Sequence, residues 1–332
     1  MAQSDPVTVS PKMLAALLER IPAGSDHLTL EAFIDCALYH PTEGYYKRAR
    51  PRVGRLPDRD FYTASSLGKV FSSLVVEATR DLLGEDPMAY TFVEIGPESE
   101  LGIMGNLPEA PFREVQLIRP GVTAQIPPKA IVFSNELFDA QPFRRLVSTS
   151  GGWKEMGVAI LGNRLEWRVL DPLDPLPDLP DDLPAGYLVD WPEKAHRLLE
   201  NICQQSWQGV FIAFDYGLGL STILSERPQG TGRTYARHQM GNDLLNDPGN
   251  TDITCHVIWD ALEEILGRHG FADIRLQRQE AFFMNHSQSV IREILEDGPQ
   301  GFSPSKQTLM ELLHPANMGH KFQVLSAFRR QI

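Results

Sequence analysis

The sequence predicts an α/β fold built on a mainly parallel sheet. Two observations carry that prediction. Five short apolar runs, YTFVEIG (90–96), REVQLI (113–118), AIVFS (130–134), GVFIAFDYG (209–217) and CHVIW (255–259), have the length and continuous apolar character of buried strands. Helically spaced stretches at 61–84, 193–206 and 258–268 alternate with them, the pattern that gives crossover units and parallel pairing.

The elements follow in order. SPKMLAALLERI opens a helical region over 10–39 with a Ser-Pro start, because proline suits the first helical turn. LTLEAFIDCALYH continues it at helical spacing, and HPTEGYY breaks it. Residues 48–60 are basic and rich in proline and arginine, as expected of a solvated connector; contact with a partner is the sharper reading. FYTASSLGKVFSSLVVEATRDLLG runs from a polar turn into an amphipathic helix. After the first strands, DPLDPLPDLPDDLPAG (171–186) reads as a surface loop. FADIRLQRQEAFF (271–283) and HKFQVLSAF (320–328) read as a closing antiparallel pair, and no internal repeat is visible.

With 332 residues the chain can bury a large core in one or two domains. The net charge of −12 argues against nucleic acid as the main partner. It suits plain solubility, or the steering of a cationic partner such as an arginine-rich protein segment. No apolar run is long enough to span a membrane, and the N-terminus lacks the pattern of a secretory signal, so a cytoplasmic location is expected. Cys36, Cys203 and Cys255 lie far apart without a CxxC, which argues against a metal site or a disulfide framework.

Chemistry is expected where polar residues follow buried strands, because open α/β sheets bind ligands beyond the carboxyl ends of their strands. FSNELFDAQPFRR (133–145) places Asn135, Glu136 and Asp139 there, with helix capping as the local alternative. The spacing of Glu136 and Asp139 lets both face one side of a helical turn. Asp215 and Tyr216 end the run GVFIAFDYG, ahead of Gly217 and Gly219, which permit tight turns or a mobile lid.

Several ordered segments resemble one family: FIDCALYHPTEGYY (33–46), DFYTASSLGKVF (60–71), VEIGP (93–97), FSNELFDAQPFRRLV (133–147), FDYG (214–217), GTGRTYARHQMGNDLLNDPGNTDITCHV (230–257) and NMGHKFQVL (317–325). The chain resembles the MidA-like S-adenosylmethionine (SAM)-dependent methyltransferases over roughly residues 30–328. The resemblance implies a Rossmann-like methyltransferase core at 89–332 with an antiparallel C-terminal strand. It also implies an N-terminal helical extension at 1–88 and an inserted subdomain at about 218–260. SAM is the implied cofactor, held by Glu94, Gly96, Pro97 and Asn135, with Thr63 and Ser65 closing over it. Glu136, Asp139 and Asp215 are the implied catalytic carboxylates. Tyr216, His256 and Arg233 are expected on the acceptor side, His256 as a proton relay or, alternatively, as a satisfied structural group. A mitochondrial branch of the family methylates an arginine of a respiratory complex I subunit. The resemblance therefore implies a protein substrate, which carboxylates would anchor by bidentate pairing, and it is compatible with a homodimer.

The chain departs from the family at the glycine-rich loop. Where EIGPGxG is expected, it reads Glu94-Ile95-Gly96-Pro97-Glu98-Ser99-Glu100-Leu101-Gly102. Glu98 and Glu100 would add bulk and charge where backbone must approach the donor; the alternative is that they decorate a helix N-terminus. The segment that follows is short and proline-rich, and Arg119 stands where an acidic residue should grip the donor ribose. Two principal readings follow: an active SAM-dependent protein arginine methyltransferase, and a degenerate homologue that has lost SAM and serves as a protein-binding or assembly module. A third is a binder of another small ligand in a remodelled cleft.

Overall fold

The structure is a computed structural model that describes residues 9–47, 67–236, 239–297 and 303–330. Thr63, Ser65 and the basic stretch 48–60 lie outside the described residues. The chain divides into two compact units. One comprises Tyr62–Leu137, His196–Gly217 and Trp259–Ile332; the other comprises Met1–Phe61, Phe138–Ala195 and Leu218–Ile258. This grouping differs from the expected division at residue 88. The expected insertion at 218–260 falls almost wholly in the second unit, together with 138–195 of the expected core.

The first unit holds the expected open sheet. Its strands lie in the order Ala272–Arg278, Gln323–Arg329, Gln208–Asp215, Lys129–Asn135, Thr91–Ile95, Glu114–Ile118. The last four pair in parallel, and Gln323–Arg329 is antiparallel to both of its neighbours. The three central strands are buried nearly end to end, which explains their unbroken apolar runs. Two expectations are corrected here. Residues 255–259 form no strand of this sheet: Val257–Ile258 is a two-residue strand, and a helix begins at Trp259. The expected strand 271–283 stops at Arg278, and Gln279–His286 is helical: Gln279, Phe282 and Phe283 are buried at i, i+3 and i+4 rather than in alternation.

Helix Lys69–Leu83 buries Val70, Phe71, Leu74, Val75 and Ala78 at helical spacing. It ends at Gly84, whose left-handed backbone (φ 64°) lets its N–H bond to the Arg80 carbonyl. With Phe282, Phe283, Leu309 and Leu312 from later helices, it covers one face of the sheet. Phe71, Phe92, Phe133, Phe214 and Phe283 interlock there at centroid separations of 5.4–6.4 Å.

The second unit carries an antiparallel sheet that the sequence reading missed. Strands His27–Thr29, Gly152–Leu161, Arg144–Thr149 and Leu188–Trp191 lie side by side, with Arg164–Leu170 also paired to Gly152–Leu161. Helices Pro11–Leu18 and Leu30–Tyr39 pack with it, each N-capped by the residue before it, Ser10 and Thr29. The stretch 171–186 is a loop, as expected, but it is tied down. Arg144 pairs bidentately with Glu155 and donates to the Asp174 and Pro175 carbonyls, and Trp153 Nε1 donates to Pro180 O. A three-stranded sheet, Arg233–Ala236 between Gln239–Gly241 and Asp252–Thr254, occupies the expected insertion.

Arg145 and Asp190 form a second deeply buried ion pair in this unit. Nε and Nη2 of Arg145 donate to the two carboxylate oxygens at 2.7 and 3.0 Å. Asp190 Oδ2 also accepts from the backbone N–H groups of Thr231 and Gly232, both at 2.7 Å. A Cβ at Gly230 would fall 2.4 Å from that oxygen, so the GTG turn fits only because glycine stands there. Asp190→Ala would leave a buried guanidinium and two amides without their acceptor. It is expected to cost about 3–5 kcal/mol, read as a lower urea midpoint at an unchanged m value.

Candidate functional site

The chain leaves Thr91–Ile95 for Glu114–Ile118 on one side and returns to Lys129–Asn135 on the other. The order of strands therefore reverses between Thr91–Ile95 and Lys129–Asn135, and such a switch point is where an open α/β sheet leaves a crevice. Register keeps the strand ends level, with Ile95 opposite Ser134 and Ser134 opposite Ala213. Gly96-Pro97, Asn135-Glu136 and Asp215 consequently emerge along one edge.

Glu136 is the most unusual of these residues. Its φ is +49°, and the other non-glycine residues with positive φ among those described are Asp247 and Asp273. This left-handed backbone is held by a bond from Glu136 N–H to Phe214 O at 2.8 Å. It also ends the strand without starting a helix. The expected helical turn carrying Glu136 and Asp139 on one face does not form, and neither does a helix capped at Ser134 or Asn135. Asp139 instead belongs to the second unit, where it is buried and its carbonyl accepts from Cys255 N–H at 3.0 Å.

Asn135 is buried, and its Nδ2 donates to Glu136 Oε1 at 3.2 Å. Asn135 Oδ1 and the neighbouring Ser134 Oγ have no hydrogen-bond partner among the described residues. Buried polar atoms are ordinarily satisfied, so this strand end is prepared for a polar ligand. Asp215 is fully buried and accepts from Tyr216 N–H at 2.9 Å, and Tyr216 packs edge-on against Phe322.

Glu94 is a closing strut of the loop. Its Oε2 accepts from Ile103 N–H at 2.8 Å, and a Cβ at Gly102 would lie 2.3 Å from the same oxygen. Burial, and then the nearby charge of Glu98, push its carboxyl up to about 7 against the pull of the Ile103 N–H. Gly96 (φ 72°) is equally constrained, since a Cβ there would meet Leu137 Cδ1 at 2.7 Å. Pro97 is buried beside it.

Glu98 and Glu100 are exposed, and neither has positive φ. The bulk and charge expected to obstruct the loop therefore point to solvent, and the two positions that sterically require glycine still have it. No α-helix follows the loop for these glutamates to decorate; the chain makes a short 3-10 turn, Ile103–Asn106, anchored by Ser72 Oγ on Ile103 O. Arg119 donates to the Glu100 carbonyl at 3.1 Å, so it ties the loop to the end of the next strand. The residues present fit a SAM-type donor at Gly96 and Asn135, while the acidic grip on its ribose is absent.

In the second unit, His256 N–H donates to Thr231 Oγ1 at 3.3 Å. Its imidazole is pushed down to about 4, first by burial and then by the Arg233 and Arg227 guanidiniums, against the opposing pull of Asp190. It is therefore neutral at physiological pH. His256 lies between strands rather than on one, and Arg233 begins the adjacent strand. Arg145, Asp190 and Thr231, which link these residues, were missed in the sequence reading; the only signal was the pairing of FRR and VDW with a GTG turn.

An open sheet with a glycine turn and carboxylates along its carboxyl edge defines the class of Rossmann-like methyltransferases. The chain belongs to the family described as "Putative S-adenosyl-L-methionine-dependent methyltransferase", which it matches over residues 75–275, more than half its length. It is 26% identical over 204 residues to the mitochondrial protein arginine methyltransferase NDUFAF7 of Xenopus laevis, and likewise to that of Xenopus tropicalis. The match covers 58% of this chain but only 44% and 45% of those proteins, so the chain spans less than half the length of the curated relatives it matches. A Burkholderia thailandensis protein crystallised with S-adenosyl-homocysteine shares the fold at a TM-score of 0.80 and 22% identity, covering 98% of this chain and 95% of that one. A native crystal structure from the same organism aligns at 0.75 and 21%, with the same coverage.

Glu94 also gives a pH prediction. A carboxyl raised in the folded state contributes stability that is fully present below its unfolded pKa near 4.5 and is lost as pH rises through about 7. Across that window the loss attributable to Glu94 is of order 3 kcal/mol. Glu94→Gln keeps an acceptor for Ile103 N–H. Urea unfolding of the two proteins from pH 4 to 8 should show the stability of wild type falling relative to the variant as pH rises.

Proposed function

We propose that the chain transfers a methyl group from SAM to an arginine side chain of a protein. The observation that carries this reading is Glu136, a carboxylate held in strained left-handed backbone at the switch point of the sheet. Such strain, of order 1–3 kcal/mol, persists where surrounding structure over-determines it and clusters at functional sites. The family match and the arginine methyltransferase relatives support the choice of reaction and acceptor.

SAM, when bound, supplies an electrophilic methyl group on a sulfonium. Gly96 and Pro97 would let the backbone approach the donor, and the buried, unpartnered Asn135 Oδ1 would accept a hydrogen bond from it. Glu136 pairs with the acceptor guanidinium and fixes the attacking nitrogen in line. As the methyl passes from sulfur to nitrogen, the C–S bond would break to leave a neutral thioether, and the nitrogen would lose a proton, which Glu136 would accept. Asp215, on the adjacent strand end, is the second carboxylate of the same edge, and Tyr216 lines the acceptor side. Roles for Asp139, His256 and Arg233 at the acceptor, and for Thr63 and Ser65 over the donor, rest on the resemblance. A respiratory complex I subunit is the acceptor to test first, on the strength of the family's mitochondrial branch; a cytoplasmic site of action is part of the same proposal.

The degenerate reading rests on Glu98, Glu100, Arg119 and the shortened segment after the loop. Both glutamates are exposed, while Arg119 in place of an acidic residue and the short 3-10 turn in place of a helix still favour it. The test is methyl transfer from isotopically labelled SAM to arginine-containing peptides, read by mass spectrometry. Wild type should methylate arginine, and Glu136→Gln should lower the rate by about 10²-fold or more while leaving SAM affinity unchanged. Methylation that is undiminished in Glu136→Gln would remove Glu136 from the mechanism.

A further inference from the structure

Among the described residues, two guanidiniums of the second unit form no ion pair with a carboxylate. Arg227 caps helix Leu220–Glu226, and its Nε is buried with no hydrogen-bond partner among the described residues. Arg233 opens the strand Arg233–Ala236, opposite Thr254. Arg233 follows Thr231 by two residues, just past Gly232 of the turn. The bond from His256 N–H to Thr231 Oγ1 brings His256 to that end. Gly230 N–H donates to the Arg227 carbonyl at 3.0 Å, so the chain turns directly from Arg227 to Thr231 and brings Arg227 to the same end.

The acid acting on the same ring, Asp190, is already consumed. It takes both forks of Arg145 and two backbone N–H groups, so the Arg145–Asp190 pair is neutral as a unit. Two half-buried guanidiniums, one with a buried unpartnered Nε, therefore stand beside a half-buried imidazole. Planar guanidiniums are suited to bidentate capture of an oxyanion.

We propose that Arg227 and Arg233, with His256 beside them, form an oxyanion-binding site that receives a carboxylate or phosphate group. The Arg145–Asp190 pair is its positioning element: it fixes the GTG turn from which Arg233 and the Thr231–His256 contact extend. The site recognises charge and fork geometry and does not depend on methyl transfer. An acidic side chain of a protein partner and a free phosphate offer the same chemistry to it.

The test uses the full chain without any methyl donor. Inorganic phosphate and an end-capped peptide carrying glutamates are each titrated by calorimetry and by NMR of the His256 ring and arginine Nε–H signals. Saturable binding of either probe is expected, with shifts at Arg227, Arg233 and His256. Tighter binding of the peptide identifies a protein carboxylate as the ligand, and tighter binding of phosphate identifies a phosphate. Arg227→Gln and Arg233→Gln should each weaken binding about tenfold or more at an unchanged melting temperature. The Arg227→Lys and Arg233→Lys variants, which keep charge but lose the fork, should retain part of it and serve if the glutamine variants unfold. The absence of saturable binding by both probes up to about 10 mM, or binding that all four substitutions leave intact, would overturn the proposal.

Discussion

The carboxyl ends of three parallel strands are held level by their register, and the placement of the site depends on that alignment. Ile95, Ser134 and Ala213 stand side by side, so the chain leaves all three strands at one height. Pairing alone would not hold this register in strands buried on both faces. What pins it is the match of large aromatic side chains on one face, together with the single carboxylate of Glu94, which a one-residue slip would turn to the wrong face. Because Glu94 is fixed, it can catch Ile103 N–H and fold the following loop back over the strand end.

That strut explains why the loop tolerates a changed sequence. A glycine-rich loop needs glycine only where the backbone turns into positive φ or where another atom occupies the place of a Cβ. Gly96 and Gly102 meet both conditions, and Glu98 and Glu100 meet neither. The substitution of glycine by glutamate inside the motif is thus a change at its solvent side. The same logic governs the GTG turn of the other unit, where Gly230 leaves room for the Asp190 carboxylate. In both places a buried carboxylate takes the space a side chain would have used, and backbone N–H groups of the turn satisfy it.

The central sheet was legible because strands buried on both faces carry an unmistakable apolar run, as in AIVFS and GVFIAFD. The antiparallel sheet of Arg144–Thr149, Gly152–Leu161 and Arg164–Leu170 was not. Its strands alternate burial with exposure and carry Arg144, Arg145 and Glu155 inward, so buried ion pairs disguised them as surface sequence. The strand-end residues Asn135, Glu136 and Asp215 could be located from sequence because they follow apolar runs. The conformation of Glu136 could not, since nothing in the string ELFDAQP marks a left-handed glutamate, and the helical turn expected there depended on ordinary backbone. Arg227 escaped notice because its significance lies in a buried Nε without a hydrogen-bond partner among the described residues, which only the folded arrangement reveals.

We propose that the strand-end edge at Gly96, Asn135 and Glu136 holds a SAM-type donor despite the altered loop. Calorimetric titration of the folded chain with S-adenosyl-homocysteine, the demethylated product, tests this most directly. One-to-one binding is expected with a dissociation constant tighter than about 100 μM, or about −5.5 kcal/mol, weakened when Asn135 is changed to Ala. No heat of binding from folded protein across a range of temperatures would contradict it.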